Sequence, residues 1–323
     1  MFKTIGKRLL ALPATLLAVA GITFLLAWAS PYDPAEAYFA ELVGQGAVTE
    51  DVKEAYERAW GLDRSMPEQF AAWLGNVVRG DLGVSRALPG QPVAEVILQR
   101  AGASAILVAT SAGLALAGSL IMGVLAARFR DSWLDWAIRT MSYLNAFAPS
   151  FWVALLGIAV FAVWLGWLPA TGASDPRSAG SGIDLRHLVL PAVTLALTQH
   201  GTFTLYVRDT VLEVMREDYT AFARAQGASE TRILFRQALP NALIPYVTLI
   251  GTHVPELIGG TILIESVFGW PGLGNLTREA AIAVDLPLLL AIVLAGSVLV
   301  VLGNLASDLL YRIVDPRVRE SAA

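Results

Sequence analysis

Long apolar runs alternate with polar segments along this 323-residue chain. A helix needs roughly 20 mostly apolar residues to cross a bilayer. Six runs meet this criterion and predict six transmembrane helices. They cover Leu9–Ala29, Ala101–Ala127, Met141–Leu165, Leu188–Val207, Ala242–Ile264 and Leu286–Tyr311. The first run is longer than the apolar core of a signal peptide, which favours a retained membrane anchor.

Arginine and lysine are unevenly distributed between the connecting segments, and their excess marks the cytoplasmic side of a membrane protein. Fourteen of them precede the first run, lie between the second and third or the fourth and fifth, or follow the sixth. The alternate short loops hold three. This pattern predicts that both termini are cytoplasmic.

The segment from Ser30 to Arg100 is then extracytoplasmic, since long loops cross the membrane largely regardless of their charge. Within it, VTEDVKEAYERAWGLD predicts a short helix that ends near Gly61. MPEQFAAWLGNVVRG predicts a second helix with Phe70 and Trp73 on one apolar face. Such a helix suits packing on the membrane surface or on neighbouring span ends. A small folded cap without a binding role is the alternative.

Composition agrees with a membrane protein, because 55% of the residues are hydrophobic and 15% are charged, against about 25% charged in soluble domains. The formal net charge of −4 gives no support to a nucleic-acid partner. The chain has no cysteine, which excludes disulfides, cysteine-ligated zinc and a thiol nucleophile.

Motifs for energy conversion and hydrolysis are absent from the sequence. It has no G-x-x-x-x-G-K-[ST] phosphate-binding loop, no H-E-x-x-H and no G-x-S-x-G. Its three histidines lack metal-ligand spacing, so we expect no metal site and no cofactor bound by this chain. If the protein moves a solute, the energy comes from a partner.

Polar residues in or beside predicted spans are candidates for a translocation path or gate, because such groups are costly in lipid and often functional. His253 and Glu256 are three residues apart, which would place them on one helix face. Gln199 and His200 lie in the fourth run, and Glu265 precedes the turn FGWPGLG. The alternative for each is an interhelical hydrogen bond that only positions helices.

A polar stretch, DYTAFARAQGASETRILFRQALPNALIP, separates the fourth and fifth runs. Alanines favour a first helix, and Gly227 fits its C-terminus. Ser229 suits the N-cap of a second helix, and Glu230 complements that helix's dipole. Pro240 would end the second helix or kink it into the fifth span. The stretch therefore predicts a helix–turn–helix that docks on a partner protein. The alternative is an ordinary solvated loop.

This stretch resembles the EAA loop of ABC-importer permeases, in which a glycine follows E-A-A after three residues and Leu-Pro lies at a set distance beyond. Gly227 and Leu239-Pro240 match, and Ala223 holds the third motif position. Ala221, Phe222 and Gln237 depart from the usual residues. The oligopeptide/dipeptide branch often lacks the glutamate.

Other segments resemble the same branch in the same order. They are GLDRSMPEQFAAWLGNVVRGDLGVS, LNAFAPSFWVALLGIAVFAVWLGWLPATG, LRHLVLPAVTLAL, ESVFGWPGLGNL, DLPLL and DLLYRIVDPRVR. The resemblance covers nearly the whole chain.

The resemblance implies an all-α integral membrane protein with the type I ABC importer permease fold, in a bacterial or archaeal plasma membrane. It implies four kinds of partner: membrane lipid, a second homologous permease, two ATPase subunits that bind ATP and Mg, and an extracytoplasmic solute-binding protein. It also assigns ATPase coupling to Tyr219, Ala221, Phe222, Ala223, Arg224, Ala225, Gly227, Ala228, Ser229, Leu239 and Pro240.

The expected solute is a dipeptide or oligopeptide, although relatives also carry nickel, glutathione, sugars and haem. The expected organisation is a first span (1–30), an external helical segment (31–100), a five-span core (101–312) with a coupling loop (208–240), and a cytoplasmic tail (313–323). A membrane-embedded enzyme using His253 and Glu256, and a stand-alone secondary transporter, are the alternatives.

Overall fold

The computed structural model of the chain describes residues 2–29, 50–61, 63–85, 88, 90–175 and 182–314. Every regular element among these residues is helical, and the one β-type pairing is an isolated bridge between Val84 and Pro92. The all-α prediction is therefore confirmed for the described part of the chain.

The described N-terminal part of the chain contains α1 (Phe2–Trp28), α2 (Glu50–Trp60), α3 (Met66–Val78) and α4 (Val93–Arg128). Of these, α2 and α3 are the two helices predicted for the external segment, and the structure confirms both. Gly61 follows α2 with a φ of +64°, which suits a helix end. Ser65 and Glu68 form a reciprocal capping box at the start of α3.

The remaining helices form the rest of the membrane part and its connections. They are α5 (Trp133–Phe147), α6 (Ser150–Gly157, continued by a π-helix over Ile158–Trp164), α7 (Leu185–Val214), α8 (Asp218–Ala225), α9 (Glu230–Ile233, continued by a π-helix over Leu234–Ala238), α10 (Leu239–Thr252), α11 (Val254–Phe268), α12 (Leu273–Ile282) and α13 (Leu286–Val314).

Three described helices are long and apolar enough to cross a membrane unaided: Val93–Arg128, Leu185–Val214 and Leu286–Ala306. The first two contain the second and fourth predicted spans, and the third contains most of the sixth, Leu286–Tyr311. The apolar part of α1, Leu12–Trp28, is shorter. The total of six spans stays a prediction.

The third predicted span, Met141–Leu165, is wrong as one straight helix. The α5–α6 pair bends by 110° at a short break and makes a fourth span only if the pair crosses as one unit. Pro149 explains the position of the break, because a proline disfavours helical backbone in the residue before it. Ala148 accordingly has extended backbone, with ψ of 131°.

The fifth predicted span, Ala242–Ile264, is also interrupted. His253 ends α10 with a φ of −97° and a ψ of 1°, and α11 begins at Val254. Pro255, in the first turn of α11, has no N–H to continue the hydrogen bonding of α10. His253 therefore stands at a helix junction rather than within a continuous helix.

The chain packs as two compact units, each assembled from two separate segments of the chain. The first unit joins residues 1–104 to residues 271–301. Its core includes Val93 and Val96 of α4, packed with Leu276 of α12 and Leu288 of α13. In the same unit Phe70 of α3 meets Phe24 of α1 edge to face, with 5.2 Å between ring centres. The apolar face predicted for α3 thus packs on a neighbouring span.

A buried hydrogen bond links two distant motifs of the first unit. Ser85 Oγ, in RGDLGVS, donates to Asp285 Oδ2, in DLPLL, at 2.7 Å. Asp285 Oδ1 also accepts the Leu288 N–H at the start of α13. Two separate sequence signatures therefore meet at one buried contact.

The second unit joins residues 105–270 to the chain from residue 302 onward. Helix α7 lies at its centre, where Phe203, Val207 and Val211 pack with Leu234 and Tyr246. A Cβ atom at Gly201 of α7 would collide with the Ser142 carbonyl oxygen of α5. These two helices therefore approach through their backbones.

Candidate functional site

The predicted coupling loop, 208–240, begins within the last two turns of α7, and its first separate helix, α8, starts at Asp218. Glu217 has extended backbone and precedes α8. Thr220 is wholly buried, and its hydroxyl lies 2.9 Å from the Met215 carbonyl oxygen and 2.7 Å from that of Glu217. These contacts hold the first turn of α8 against the last residues after α7.

Gly227 makes the turn between α8 and α9, as predicted. Its φ is +84°, in the left-handed region that favours glycine. The Gly227 N–H donates to the Arg224 carbonyl at 2.9 Å, and the Ala228 N–H donates to the Ala223 carbonyl at 3.0 Å. This pair of bonds is a Schellman motif, which satisfies the last carbonyls of α8.

The start of α9 also follows the prediction. Ser229 is the N-cap, with its hydroxyl oxygen accepting the Arg232 N–H at 3.4 Å, and Glu230 lies in the first turn. The Arg224 guanidinium reaches across the turn and donates to both carboxylate oxygens of Glu230, at 2.5 and 3.2 Å. It donates also to the Met215 carbonyl at 3.2 Å. Arg224 thus joins α7, α8 and α9.

This ion pair shifts both titrations in the expected directions. The hydrogen bonds from Arg224 hold the pKa of the Glu230 carboxyl below its usual value. The same carboxylate raises the pKa of Arg224. Glu230 is therefore ionised at physiological pH, as its ion pair with Arg224 requires. We call this ion pair the Arg224–Glu230 clamp.

The exit from the loop is continuous with α10. Pro240 is the second residue of α10 and has no N–H for the Arg236 carbonyl. The backbone rewinds locally, and the Leu239 N–H bonds instead to the Leu234 carbonyl in a π-helical turn. Leu234 and Ala238 are buried, and no non-helical residue separates α9 from α10.

The outer face of the loop is more aromatic than the sequence suggested. Phe222 is 65% exposed, and Tyr219 and Phe235 are exposed as well. Ala223, the residue that matches the third motif position, is buried and faces the protein itself. An open depression of about 330 Å³ adjoins the turn. The loop thus exposes aromatic side chains beside a concave site whose lining includes Arg232 and Arg236.

A buried ion pair between Asp135 of α5 and Arg208 of α7 was not predicted as a site. Arg208 Nε lies 2.6 Å from Asp135 Oδ1, and Arg208 Nη2 lies 2.8 Å from Asp135 Oδ2. The Asp135 side chain is 1% exposed and that of Arg208 is 11% exposed. The sequence signal that could have pointed to this site is Asp135 itself, an aspartate in the first turn of a largely apolar helix. The sequence did not identify its partner, which lies 73 residues further along the chain.

The candidate path residues occupy different environments. His253 Nε2 lies 3.7 Å from Glu256 Oε2, but the Glu256 side chain is 64% exposed. The His253 ring packs 5.1 Å from the Phe203 ring of α7. His200 is partly buried, and its Nδ1 lies 3.3 Å from the Thr204 hydroxyl. The path assignment for these residues stays a prediction.

Gln199 and Glu265 complete that candidate set. Gln199 is partly buried on α7, next to His200. Glu265 is wholly buried in α11. Its role in a path or gate stays a prediction. In the part of the chain that the structure describes, no group of three or more acidic or histidine side chains could hold a metal ion.

Two family profiles match the chain. The profile described as binding-protein-dependent transport system inner membrane component matches residues 119–320. The profile for the N-terminal part of such membrane components matches residues 1–92. The first match includes the whole α8–α9 loop.

Curated relatives are similar over nearly their full length. An oligopeptide transport system permease protein of Bacillus subtilis is 37% identical over 97% of this chain and 98% of the relative. A putative peptide transport system permease protein of Brucella abortus is 39% identical over 99% of both chains. A glutathione transport system permease protein of Escherichia coli is 35% identical over 99% of both.

A solved structure shares the fold. It is the MetNI methionine ABC transporter in an inward-facing conformation, with a TM-score of 0.59 and 18% sequence identity. The match covers 70% of this chain and 99% of that chain. At this identity the likeness establishes the type I importer fold.

Proposed function

This chain is a binding-protein-dependent transport permease, and we propose that it forms half of the translocation path of an ATP-driven peptide importer. It is a multi-pass membrane protein that works with an ATPase and a binding protein. In the proposal it pairs with a second homologous permease in a bacterial or archaeal plasma membrane. Two ATPase subunits bind ATP and Mg on the cytoplasmic side, where both termini lie.

The α8–α9 loop carries the proposal. Its left-handed Gly227, its Schellman bonds and its Arg224–Glu230 clamp form a rigid turn with an exposed aromatic face. Exposed aromatic side chains are common anchors in protein–protein interfaces. Phe222 is thus the proposed anchor that enters the ATPase subunit.

The loop also provides a mechanical link. When ATP closes the ATPase dimer, the docked loop moves with it. The π-helical exit at Leu234–Ala238 runs directly into α10, so the movement reaches the interrupted fifth span. A solute that prefers one of the two resulting conformations is then moved in one direction.

Peptides are the proposed solutes because the named activities of the relatives share a peptide chemistry. Those relatives are described as oligopeptide, peptide and glutathione permeases, and glutathione is itself a tripeptide. A small peptide offers a charged amine, a charged carboxylate and amide groups. His253 and Glu256 are candidates for meeting such groups along the path.

Reconstitution of the complete transporter tests the proposal. The tagged chain is expressed with its partner subunits, purified, and placed in vesicles with its binding protein. We expect two ATPase subunits to co-purify, and labelled trialanine and pentaalanine to enter the vesicles only with ATP. Unlabelled peptides should compete, whereas nickel and maltose should not.

The rival functions give different results. A membrane-embedded enzyme would act as the isolated chain, and a secondary transporter would move solute without ATP. If the vesicles take up another solute but no peptide, the substrate assignment is wrong and the permease assignment stands. We also propose that the external segment, Ser30–Arg100, is the contact for the binding protein. Delivery by the binding protein that survives deletion of Glu50–Arg79 would exclude this contact.

A further inference from the structure

We propose that Asp135 and Arg208 are positioning residues that make the loop between α4 and α5 move together with the coupling loop. This inference rests on the proposed function, since it assigns a joint through which ATPase movement reaches a second part of the permease. All of the groups involved lie in the second compact unit.

The contact is built to fix orientation as well as distance. Two parallel N–H···O bonds, at 2.6 and 2.8 Å, join one guanidinium to one carboxylate. A two-point pair of this kind restrains rotation of one helix about the other, which a single hydrogen bond does not. Burial of Asp135 excludes water that would compete for the same atoms.

Asp135 also organises the loop before α5. Its Oδ2 atom accepts the Asp131 N–H at 3.0 Å. Asp131 has a φ of 62°, an unfavourable conformation for a residue with a side chain. The Asp135 N–H is in turn capped by the Ser132 hydroxyl. One carboxylate therefore holds both the tight turn and its attachment to α7.

Arg208 lies on the helix that leads into the coupling loop. Two turns later, the Met215 carbonyl accepts hydrogen bonds from Thr220 Oγ1 and Arg224 Nη2. Arg224 is clamped to Glu230 beyond the Gly227 turn. Polar contacts at Arg208 and at Met215, which are joined by two turns of helix, thus connect the loop before α5 with α9.

Stability alone does not account for this pair. A buried ion pair is commonly no more stabilising than apolar residues of similar size, although removing one partner is costly. Apolar residues could hold the two helices together without charge. The two-point geometry provides what they lack, a defined rotational setting between α5 and α7.

The test compares variants of the pair in the reconstituted complex. Asp135→Asn and Arg208→Lys each keep the approximate size of the side chain and weaken the two-point contact. We expect labelled trialanine uptake per ATP hydrolysed to fall roughly 2- to 30-fold in Asp135→Asn, the range for residues that modulate coupling. Arg208→Lys should give a comparable fall, because lysine keeps the positive charge but cannot form the two parallel hydrogen bonds.

A double variant, Asp135→Asn with Arg208→Leu, separates positioning from folding. Removing both charges relieves the buried unpaired charge, so assembly and thermal stability should recover. Uptake per ATP should remain low. Recovery of both stability and uptake would overturn the inference, and so would normal uptake per ATP in assembled Asp135→Asn complexes.

Asp209 provides the matched control. Its Oδ1 accepts from Nη1 of the same Arg208 at 2.8 Å, but its side chain is largely exposed. Asp209→Asn should leave uptake per ATP nearly unchanged, because exposed pairs contribute little. The wild-type complex run in parallel distinguishes the two proposals: if it neither binds ATPase subunits nor transports, the proposed function has failed. If only trialanine fails as a solute, stimulation of ATP hydrolysis by the binding protein is the readout.

Discussion

Gly227 shows how one residue can set the geometry of the proposed docking loop. A Cβ atom there would meet no other atom within 4 Å, so its side-chain space is open. The demand for glycine comes from φ alone, at +84°. Left-handed backbone costs most residues about 1–2 kcal/mol, and asparagine less than most.

Replacement of Gly227 by valine should therefore reduce peptide uptake and binding-protein-stimulated ATP hydrolysis, because a β-branched residue resists the left-handed turn. Gly227→Asn is the matched control and should retain most of both activities. Both are measured in the reconstituted complex. Equal loss in the two variants would show that backbone conformation is not the cause, and full activity of Gly227→Val would remove the coupling assignment.

The Arg224–Glu230 clamp should loosen in acid. The folded protein lowers the pKa of Glu230. The clamp therefore contributes stability that is fully present above the ordinary pKa of a glutamate, about 4.5. That contribution is lost as the pH falls through the lower pKa of the folded state. The pair is partly exposed, so we expect less than about 1 kcal/mol.

Amide hydrogen exchange of the turn at Gly227–Ser229 measures this effect. At pH 7 Arg224→Gln should exchange faster than the wild type, after correction for intrinsic rates, and the difference should shrink towards pH 4. Arg232→Gln, on the exposed side of α9, should match the wild type at both pH values. A pH-independent difference would exclude Glu230 as the titrating partner.

At the scale of elements, glycine allows helix backbones in the second unit to approach closely. A Cβ atom at Gly123 of α4 would lie 2.6 Å from the Val207 Cβ of α7. At Gly201 the obstacle is the α5 backbone, which cannot move aside as a flexible side chain can. Small residues serve this purpose in membrane bundles, where packing replaces the hydrophobic effect between helices.

Gly201→Ala should separate α5 from α7 and destabilise the solubilised complex by about 1–3 kcal/mol or more, the usual cost of overpacking. Gly113→Ala on α4 is its control, since no atom lies within 4 Å of the added methyl. That change should be neutral or slightly stabilising, because alanine favours helix more than glycine does. Thermal inactivation of the two variants compares them directly. Similar midpoints would show that the close approach at Gly201 contributes little to stability.

At the scale of the whole molecule, the predicted orientation can be tested simply because the natural chain has no cysteine. Glu57→Cys lies on α2, in the segment predicted to be extracytoplasmic, and Arg130→Cys lies between α4 and α5. A membrane-impermeant maleimide should label the first in intact cells and the second only after permeabilisation. The reverse pattern would place the termini outside.

The bent and interrupted helices also bear on the whole molecule. Pro149 lies at the break between α5 and α6, and Pro255 lies just after the break between α10 and α11. The sequence analysis nevertheless predicted unbroken spans, because hydropathy and periodicity are averaged over many residues. The two prolines that explain the breaks can be read from the sequence, whereas the 110° bend between α5 and α6 cannot. Its angle depends on packing against neighbouring helices.

The sequence by itself determined the features that depend on neighbouring residues. The alanine-rich helix, the left-handed glycine, the serine cap and the proline exit of the coupling loop follow from local backbone energetics, and the structure confirms each. The apolar runs likewise indicated a membrane protein, because the cost of polar groups in lipid acts on every residue of a span.

Only the tertiary structure decided which distant groups meet. Asp135 pairs with Arg208 across 73 positions, and Ser85 with Asp285 across 200. It also buried Ala223 and left Phe222 exposed on the proposed docking face. These outcomes depend on how whole helices pack, since burial and pairing are set by neighbours in space rather than along the chain.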